Sequence, residues 1–194
     1  MSSSVAIAEL INEWVFFRDQ ERWDDLLGAF NEDGFISLSW FRGPYPAFVA
    51  ASQQMAQRRS AIVKHHIGVP KTRINGNRAL SETSVIIRLR VKSAGGDVDT
   101  TSYARFYDQL ERRDGTWKFS IRTGIYEMDR VDPVDAPVLP DSFFCDLDLF
   151  PAPVKFLGSS LKRVGNQLIK ETILDRSAEM LALYAAGDDW LNSR

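Results

Sequence analysis

A series of tight-turn signals in the middle of this 194-residue chain constrains its fold more than any other feature. Asn75-Gly76, Gly95-Gly96-Asp97 and Asp114-Gly115 each contain residues that readily adopt the backbone conformations of β-hairpin turns. The segments between them, residues 79–92 and 98–112, alternate apolar and polar side chains or are rich in Thr, Tyr and Phe. Half-buried strands have this composition, so the pattern predicts an antiparallel meander.

Helical spacing precedes the meander. Apolar side chains recur every three or four residues over 5–17 and again over 23–30, and the more polar segment 47–60 fits a third helix. The run 35–40 predicts a strand between the second and third helices. This order indicates an α+β fold, a cone-shaped curved antiparallel or mixed sheet on which three N-terminal helices pack to enclose a pocket.

The sequence changes character after Asp132. Five prolines between positions 133 and 153 predict an extended connector, and residues 155–190 return to helical spacing. We therefore expect an α+β domain at 1–132. At 133–194 we expect a proline-rich connector and a helical C-terminal extension packed on the same domain.

Charge and cysteine content exclude several classes of partner. The chain has 24 Lys and Arg against 26 Asp and Glu, a formal net charge of -2, so no basic footprint for nucleic acid is expected. No apolar run reaches membrane-spanning length. The single cysteine, Cys145, cannot form an internal disulfide, and no cysteine and histidine cluster has zinc-site spacing. We expect a cytoplasmic protein without a cofactor whose partner is a small hydrophobic molecule.

Both histidines lie in one β-branched run, residues 62–69. Histidine titrates nearest to neutral pH, which makes this run the first candidate for proton transfer. His65 shares the parity of the more apolar positions, and alternation along a strand would place it on the buried face. A bulge at Gly68 would instead turn His66 inward.

Three segments resemble one known superfamily. They are Leu110–Arg122 (LERRDGTWKFSIR), His66-Ile67-Gly68, and Asp19-Gln20-Glu21-Arg22-Trp23. Together they are similar to segments of the SnoaL-like relatives of nuclear transport factor two, especially the hexachlorocyclohexane dehydrochlorinase and scytalone dehydratase type. The resemblance covers roughly residues 5–130 and leaves out the C-terminal extension.

The resemblance implies a catalytic set. His66 would be the general base, Asp19 would orient its ring, and Arg122 would stabilise negative charge on the substrate or the leaving group. His66 occupies the position of the family's histidine, and His65 remains the alternative that strand parity favours.

We expect Trp14, Ile36 and Tyr103 to line the pocket. Trp14 stands where dehydratases of this superfamily have a tyrosine, so a phenolic proton donor is missing there. Tyr103, Tyr107 or Tyr126 could supply a hydroxyl from other strands.

The function implied is a cofactor-independent lyase that performs β-elimination on a small hydrophobic, cyclic molecule. The alternatives are an isomerase or polyketide cyclase, or a non-catalytic binding or assembly module such as the small subunit of a ring-hydroxylating dioxygenase. Relatives of this fold self-associate through the outer face of the sheet, which implies a homodimer or homotrimer.

Overall fold

The computed structural model describes residues 2–58, 61–93, 96–135, 138–139, 143 and 145–193. The helices in these ranges are α1 Ser3–Asp19, α2 Trp23–Gly28, α3 Tyr45–Arg58, α4 Lys155–Arg163 and α5 Ala178–Asn192. The strands are β1 Phe30–Ser37, β2 Arg42–Pro44, β3 Ala61–Ile67, β4 Lys71–Asn75, β5 Arg78–Ser93, β6 Gly96–Arg113, β7 Thr116–Pro133 and β8 Ile173–Leu174.

These strands form one curved, mixed sheet in the order β2-β1-β7-β6-β5-β3. β4 also pairs with β5, and β8 with β7. β7 runs parallel to both β1 and β8, and the other pairs are antiparallel. The predicted α+β class, with helices packed on a curved mixed sheet, is therefore confirmed.

The long meander β5-β6-β7 follows the turn signals in the sequence. The β6–β7 loop is Asp114-Gly115, and both residues have positive φ, 50° and 81°. The β4–β5 loop is Gly76-Asn77, with φ 60° at the glycine. Turns of this kind match the twist of antiparallel strands, so the local sequence sets the register of the meander.

Several boundaries differ from the sequence prediction. The second helix ends at Gly28, and β1 begins at Phe30 instead of residue 35. Its pairing with β7 is irregular between Phe30 and Phe35. Parallel pairing with β7 is a long-range interaction, which local hydrophobic spacing cannot reveal.

The predicted proline connector lies partly outside the described residues, at Pro137 and Pro140, as do the last two residues of the predicted third helix, 59 and 60. The region 155–190 is not one continuous helix. It comprises α4, a short irregular segment, β8 and α5.

The two faces of the sheet carry different helices. α1, α3 and α4 cover the inner face, where the main hydrophobic core includes Ile7, Ile11, Trp14, Phe48, Val85, Phe106, Phe119 and Leu157. α5 covers part of the outer face, where Met180 and Leu191 pack on Leu80, Tyr107 and Ile125. Part of the face through which an oligomer is expected is therefore occupied by the chain's own C-terminal helix.

An ionic cluster fixes this C-terminal segment to the outer face. Arg105 of β6 donates to Glu82 and to Asp175, both at 2.8 Å, and it also contacts Glu127 and the Tyr184 hydroxyl. Asp175 precedes α5 and Tyr184 lies within it. One arginine thus joins strands β5, β6 and β7 to the extension.

Gly187 allows α5 to lie directly on the sheet. A Cβ at this position would overlap the Tyr107 hydroxyl and would lie 3.0 Å from Cζ of the same ring. We expect Gly187→Ala to lower the free energy of unfolding, measured in urea, by about 1–3 kcal/mol, because overpacking forces the helix away from the sheet.

Gly28→Ala is the matched control. Gly28 ends α2, and nothing lies within 4 Å of a Cβ built there. Alanine should be neutral or stabilising at this position because of its higher helix propensity. Equal effects of the two substitutions would contradict the close packing of α5 against Tyr107.

Candidate active site

The two histidines of β3 point to opposite faces of the sheet. β3 pairs with β5 without a register shift from Ala61 to Ile67, so Gly68 introduces no bulge here. His65 faces inward and contacts Asp19, whereas His66 is exposed on the outer face. The expected pairing of Asp19 with His66 is therefore corrected to a pairing with His65. The physical reason is the alternation of side chains along an unbroken strand.

Asp19, the last residue of α1, binds His65 through both carboxylate oxygens. Oδ1 lies 2.7 Å from Nδ1 of the ring, and Oδ2 accepts from the His65 backbone N–H at 2.8 Å. The side chains are only 7% and 9% exposed. A carboxylate partner keeps the proton on Nδ1, which leaves Nε2 as the ring nitrogen with a free lone pair.

Burial and charge shift both titrations. Burial lowers the pKa of His65 below its ordinary value, the Asp19 hydrogen bond opposes this, and the cations of Arg18 and Arg122 lower it further. Burial alone would raise the pKa of Asp19, but its hydrogen bonds from His65 outweigh burial and lower the pKa. At neutral pH the pair is thus a carboxylate beside a neutral imidazole, the state that a general base requires.

His65 opens onto an apolar cavity between the helices and the inner face of the sheet. Its volume is about 50 Å³. We call it the inner cavity, and it is lined by Trp14, Arg18, Leu38, Ser39, Trp40, Phe48, Met55, Val63, His65, Ile87, Leu89, Phe106, Tyr126, Leu157, Leu161 and Val164.

A second, more open space adjoins the inner cavity. It has a volume of about 320 Å³, and we call it the outer chamber; its walls include Asp19, Glu21, Ile62 and Lys64. Arg18, Met55 and Val63 line both spaces and so form the boundary between them.

Arg122 is not placed as the resemblance implied. Its side chain is fully buried and binds Asp108 through two hydrogen bonds of 2.8 Å each. The guanidinium carbon lies 4.3 Å from the centre of the Trp14 ring and 4.2 Å from that of Phe119, and Phe106 is at a similar distance. Arg122 therefore lies behind the aromatic wall of the inner cavity and does not line it.

Of the residues expected to line the pocket, Trp14 does so, but Ile36 and Tyr103 do not. Ile36 is completely buried in the core. Tyr103 pairs with Ile86 and Met128, which share the outer face of the sheet. The sequence shows that strand residues alternate, but it does not show which parity faces the helices.

Tyr126 brings a hydroxyl to the inner cavity. It was one of three tyrosines considered from sequence, and of the three it alone lines this space. Its Oη accepts from the backbone N–H of Ser39 at 2.9 Å, which leaves the phenolic proton available. Burial raises the pKa of Tyr126, so the hydroxyl remains protonated.

Sequence reasoning missed Tyr45, which stands between two prolines. Tyr45 begins α3, donates to the Leu26 carbonyl at 2.7 Å and accepts from Trp14 Nε1 at 2.9 Å. Its hydroxyl thus fixes the orientation of the Trp14 ring beside the cavity. The sequence shows an aromatic residue between two prolines, but this pattern alone does not indicate a role in a site.

α4 of the C-terminal extension closes one side of the inner cavity with Leu157, Leu161 and Val164. Asp129 of β7 holds its N-terminus, since Oδ2 accepts from the Leu157 N–H at 2.8 Å. Residues 133–194, which lie outside the family resemblance, therefore contribute directly to the candidate site.

The described residues contain neither a metal-binding cluster nor a membrane-spanning helix. The ranges given above contain no group of three or more His, Cys, Asp or Glu side chains placed to hold a metal ion. No helix within them combines the length and apolar character needed to cross a bilayer.

The Asp19–His65 pair can be tested by NMR titration. We expect Asp19→Asn to lower the pKa of His65, because the amide can keep only one of the two hydrogen bonds that the carboxylate accepts and removes the negative charge that favours the imidazolium. The ring signals of His66, on the other face of the sheet, are the internal control and should be the same in both proteins. An unchanged His65 titration would show that the carboxylate does not act on the ring.

Asp129 should give the protein an unusual pH dependence. Burial raises the pKa of its carboxyl from 3.8 to about 6 despite the backbone hydrogen bonds from α4. Between these values the folded state binds more protons than the unfolded state, so stability falls as pH rises through this window. Asp129→Asn should flatten this part of the profile, as measured by urea unfolding from about pH 4 to 7.

Asp24→Asn, at an exposed position on α2, is the control for this measurement. It should leave the slope between the two pKa values as in the wild type. If Asp129→Asn leaves the slope equally unchanged, the buried carboxyl does not titrate as described.

Comparisons with known proteins agree with this architecture. Pea pathogenicity protein 2 of Fusarium vanettenii is 27% identical over 154 residues, which are 78% of this chain and 66% of that protein. The chain thus spans slightly less than two thirds of the length of this relative.

Solved structures show the same fold. A proposed scytalone dehydratase from Novosphingobium aromaticivorans superposes with a TM-score of 0.56 at 19% identity, over 69% of this chain and 93% of that chain. The hexachlorocyclohexane dehydrochlorinase LinA type 2 superposes with a TM-score of 0.56 at 16% identity, over 72% and 94%. The SnoaL-like domain family matches residues 1–123. Because this match covers more than half of the chain, the protein belongs to the SnoaL-like domain family.

Proposed function

We propose that this protein is a cofactor-independent lyase that removes a carbon-bound proton from a small hydrophobic, cyclic molecule and expels a leaving group from the adjacent carbon. The observation that carries the proposal is the Asp19–His65 pair beside an apolar cavity. Asp19 binds the ring of His65 at 2.7 Å and its backbone N–H at 2.8 Å, and no described side chain is hydrogen-bonded to Nε2.

In this mechanism His65 is the general base. Nε2 takes the proton from carbon, and Asp19 stabilises the imidazolium that forms. The electron pair of the broken C–H bond forms a carbon–carbon double bond as hydroxide or halide leaves the neighbouring carbon. Exclusion of water by the apolar walls strengthens the interaction between the two charges.

A departing hydroxide needs a proton. The Tyr126 hydroxyl lines the same cavity and retains its own proton, so it can donate directly or polarise a carbonyl of the substrate. It replaces the phenolic donor that the sequence lacks at Trp14. Arg122 then acts indirectly, by holding Trp14, Phe106 and Phe119 in place and by lowering the pKa of His65.

The relatives support elimination chemistry in a limited way. The names of the two similar structures denote loss of water and of HCl, whereas their identity to this chain is below 20%. Such a likeness shows the fold, and chemistry belongs to the site. The isomerase and cyclase alternatives share proton abstraction with the lyase and differ only in the fate of the carbanion.

The test separates proton abstraction from elimination. Exchange of the acidic C–H protons of β-tetralone in D₂O, followed by NMR, reports the base alone. Loss of water from β-hydroxycyclohexanone, followed by the absorbance of the conjugated enone, reports the complete elimination. We expect the wild type to catalyse both reactions, and His65→Gln to reduce exchange by about 10²–10⁴-fold, the usual contribution of a general base.

His66→Gln is the matched control. It makes the same chemical change one residue away on the opposite face of the sheet and should retain wild-type rates, while circular dichroism verifies the fold of both variants. Equal rates in His65→Gln and wild type would refute the proposal. Exchange without elimination would favour an isomerase or cyclase, and absence of both would favour a binding module.

A further inference from the structure

Arg18 occupies a position in α1 where the helical pattern calls for an apolar residue. The buried positions of this helix are Ile7, Ile11, Trp14, Val15 and Arg18, which follow the three- and four-residue spacing of a single face. Arg18 is therefore carried to the inner face of the molecule by the same helix that positions Trp14. Its side chain has only 7% of its surface exposed.

This buried guanidinium has no hydrogen-bonded partner in the part of the chain that the structure describes. The guanidinium carbon lies 5.7 Å from the centre of the Trp23 ring. Both oxygens of Asp19, the adjacent carboxylate, are engaged by His65. Glu21 acts on Arg18 only through its charge at a distance.

Arg122, the other buried arginine near the cavity, differs from Arg18 in its partners. Its burial is similar, but Asp108 binds it through two hydrogen bonds and three aromatic rings surround it. Removing a cation from water without such a partner costs several kcal/mol. Burial accordingly lowers the pKa of Arg18, although Asp19 and Glu21 oppose the shift.

Arg18 lies at the boundary between the two spaces of the candidate site. It lines both the inner cavity and the outer chamber, beside the base His65. No described side chain is hydrogen-bonded to the guanidinium, so a group on a bound ligand could be its partner. A guanidinium selects planar oxyanions, to which it can donate two parallel hydrogen bonds.

We propose that Arg18 is a binding residue for an anionic group, so that the site takes a small, mainly apolar molecule carrying one carboxylate. This inference rests on the proposed function and specifies its substrate class. The apolar ring would extend across the inner cavity and the outer chamber, because the inner cavity alone, at about 50 Å³, is too small for it, and the anionic oxygen would meet Arg18 at the boundary between the two spaces.

The same contact would orient the substrate. Arg18 immediately precedes Asp19 in sequence, so the anchor for the anionic group and the orienter of the base lie on the same turn of α1. A substrate bound through its oxyanion would present a neighbouring carbon to His65. Arg18 would thus set the position of the substrate, while His65 moves the proton.

The experiment compares two probes of nearly equal shape by calorimetry, β-naphthoate and its neutral amide, β-naphthamide. We expect the wild type to bind the carboxylate about tenfold or more tightly than the amide, since a charge-assisted hydrogen bond in a buried site is worth at least this factor. Arg18→Gln should abolish the preference through loss of carboxylate binding, and Arg18→Lys should retain part of it.

Arg22→Gln is the matched control, because Arg22 is an exposed arginine four residues away that pairs with Asp25. It should keep the wild-type preference. A wild type that binds both probes equally, or neither of them, would overturn the inference. So would an Arg18→Gln variant that still prefers the carboxylate. If Arg18→Gln does not fold, the wild-type comparison and Arg18→Lys decide the question.

These binding measurements do not depend on turnover. If His65→Gln retains full proton exchange while Arg18 still selects the carboxylate, the proposed chemistry fails and the substrate class stands. If His65 is essential for proton exchange and the wild type binds the two probes equally, the proposed chemistry stands and the proposed role of Arg18 fails.

Discussion

The Asp19 carboxylate is the contact on which the candidate site depends. It accepts hydrogen bonds from both the ring and the main chain of His65, so it fastens the end of α1 to β3. The main-chain contact fixes where the helix ends relative to the strand. The ring contact fixes the tautomer and leaves Nε2 for chemistry. Since α1 also carries Trp14 and Arg18, the same contact determines the depth at which both side chains enter the cavity.

Two arginines are buried in this region, Arg18 on α1 and Arg122 on β7, and their surroundings differ. Arg122 is bound by Asp108 through Nε and Nη2 and is enclosed by aromatic rings, although its Nη1 has no hydrogen-bond partner among the described residues, so it stabilises the wall of the cavity. Arg18 is nearly as buried but is left with long-range charges and one distant ring. Burying a charge without a partner lowers the stability of the fold. A ligand that supplies the partner would offset this cost in the complex. The cation that lines the inner cavity thus comes from α1 and not from β7, where the resemblance had placed it.

The C-terminal extension contributes to both faces of the sheet. α4 completes the inner cavity and is held at its N-terminus by Asp129, while α5 lies on the outer face through Gly187 and the Arg105 cluster. A chain shortened to the region of family resemblance would therefore lose one wall of the site. It would also expose apolar residues of the outer face, Leu80, Tyr107 and Ile125.

The sequence by itself determined the α+β class and the long meander, and the family resemblance pointed to Asp19. Hairpin turns and helical periodicity are local properties, and Asp114-Gly115 sets the register of the strands on either side of it. Strand alternation also favoured His65, although the family pattern had argued for His66. Only the tertiary structure decided which histidine meets Asp19, because that depends on whether β3 continues without a bulge in its pairing with β5. It likewise decided that Asp108 neutralises Arg122 and that Arg18 faces the cavity. The sequence shows that Arg18 places a charge on the apolar face of α1. Whether a carboxylate neutralises that charge could be learned only from the fold.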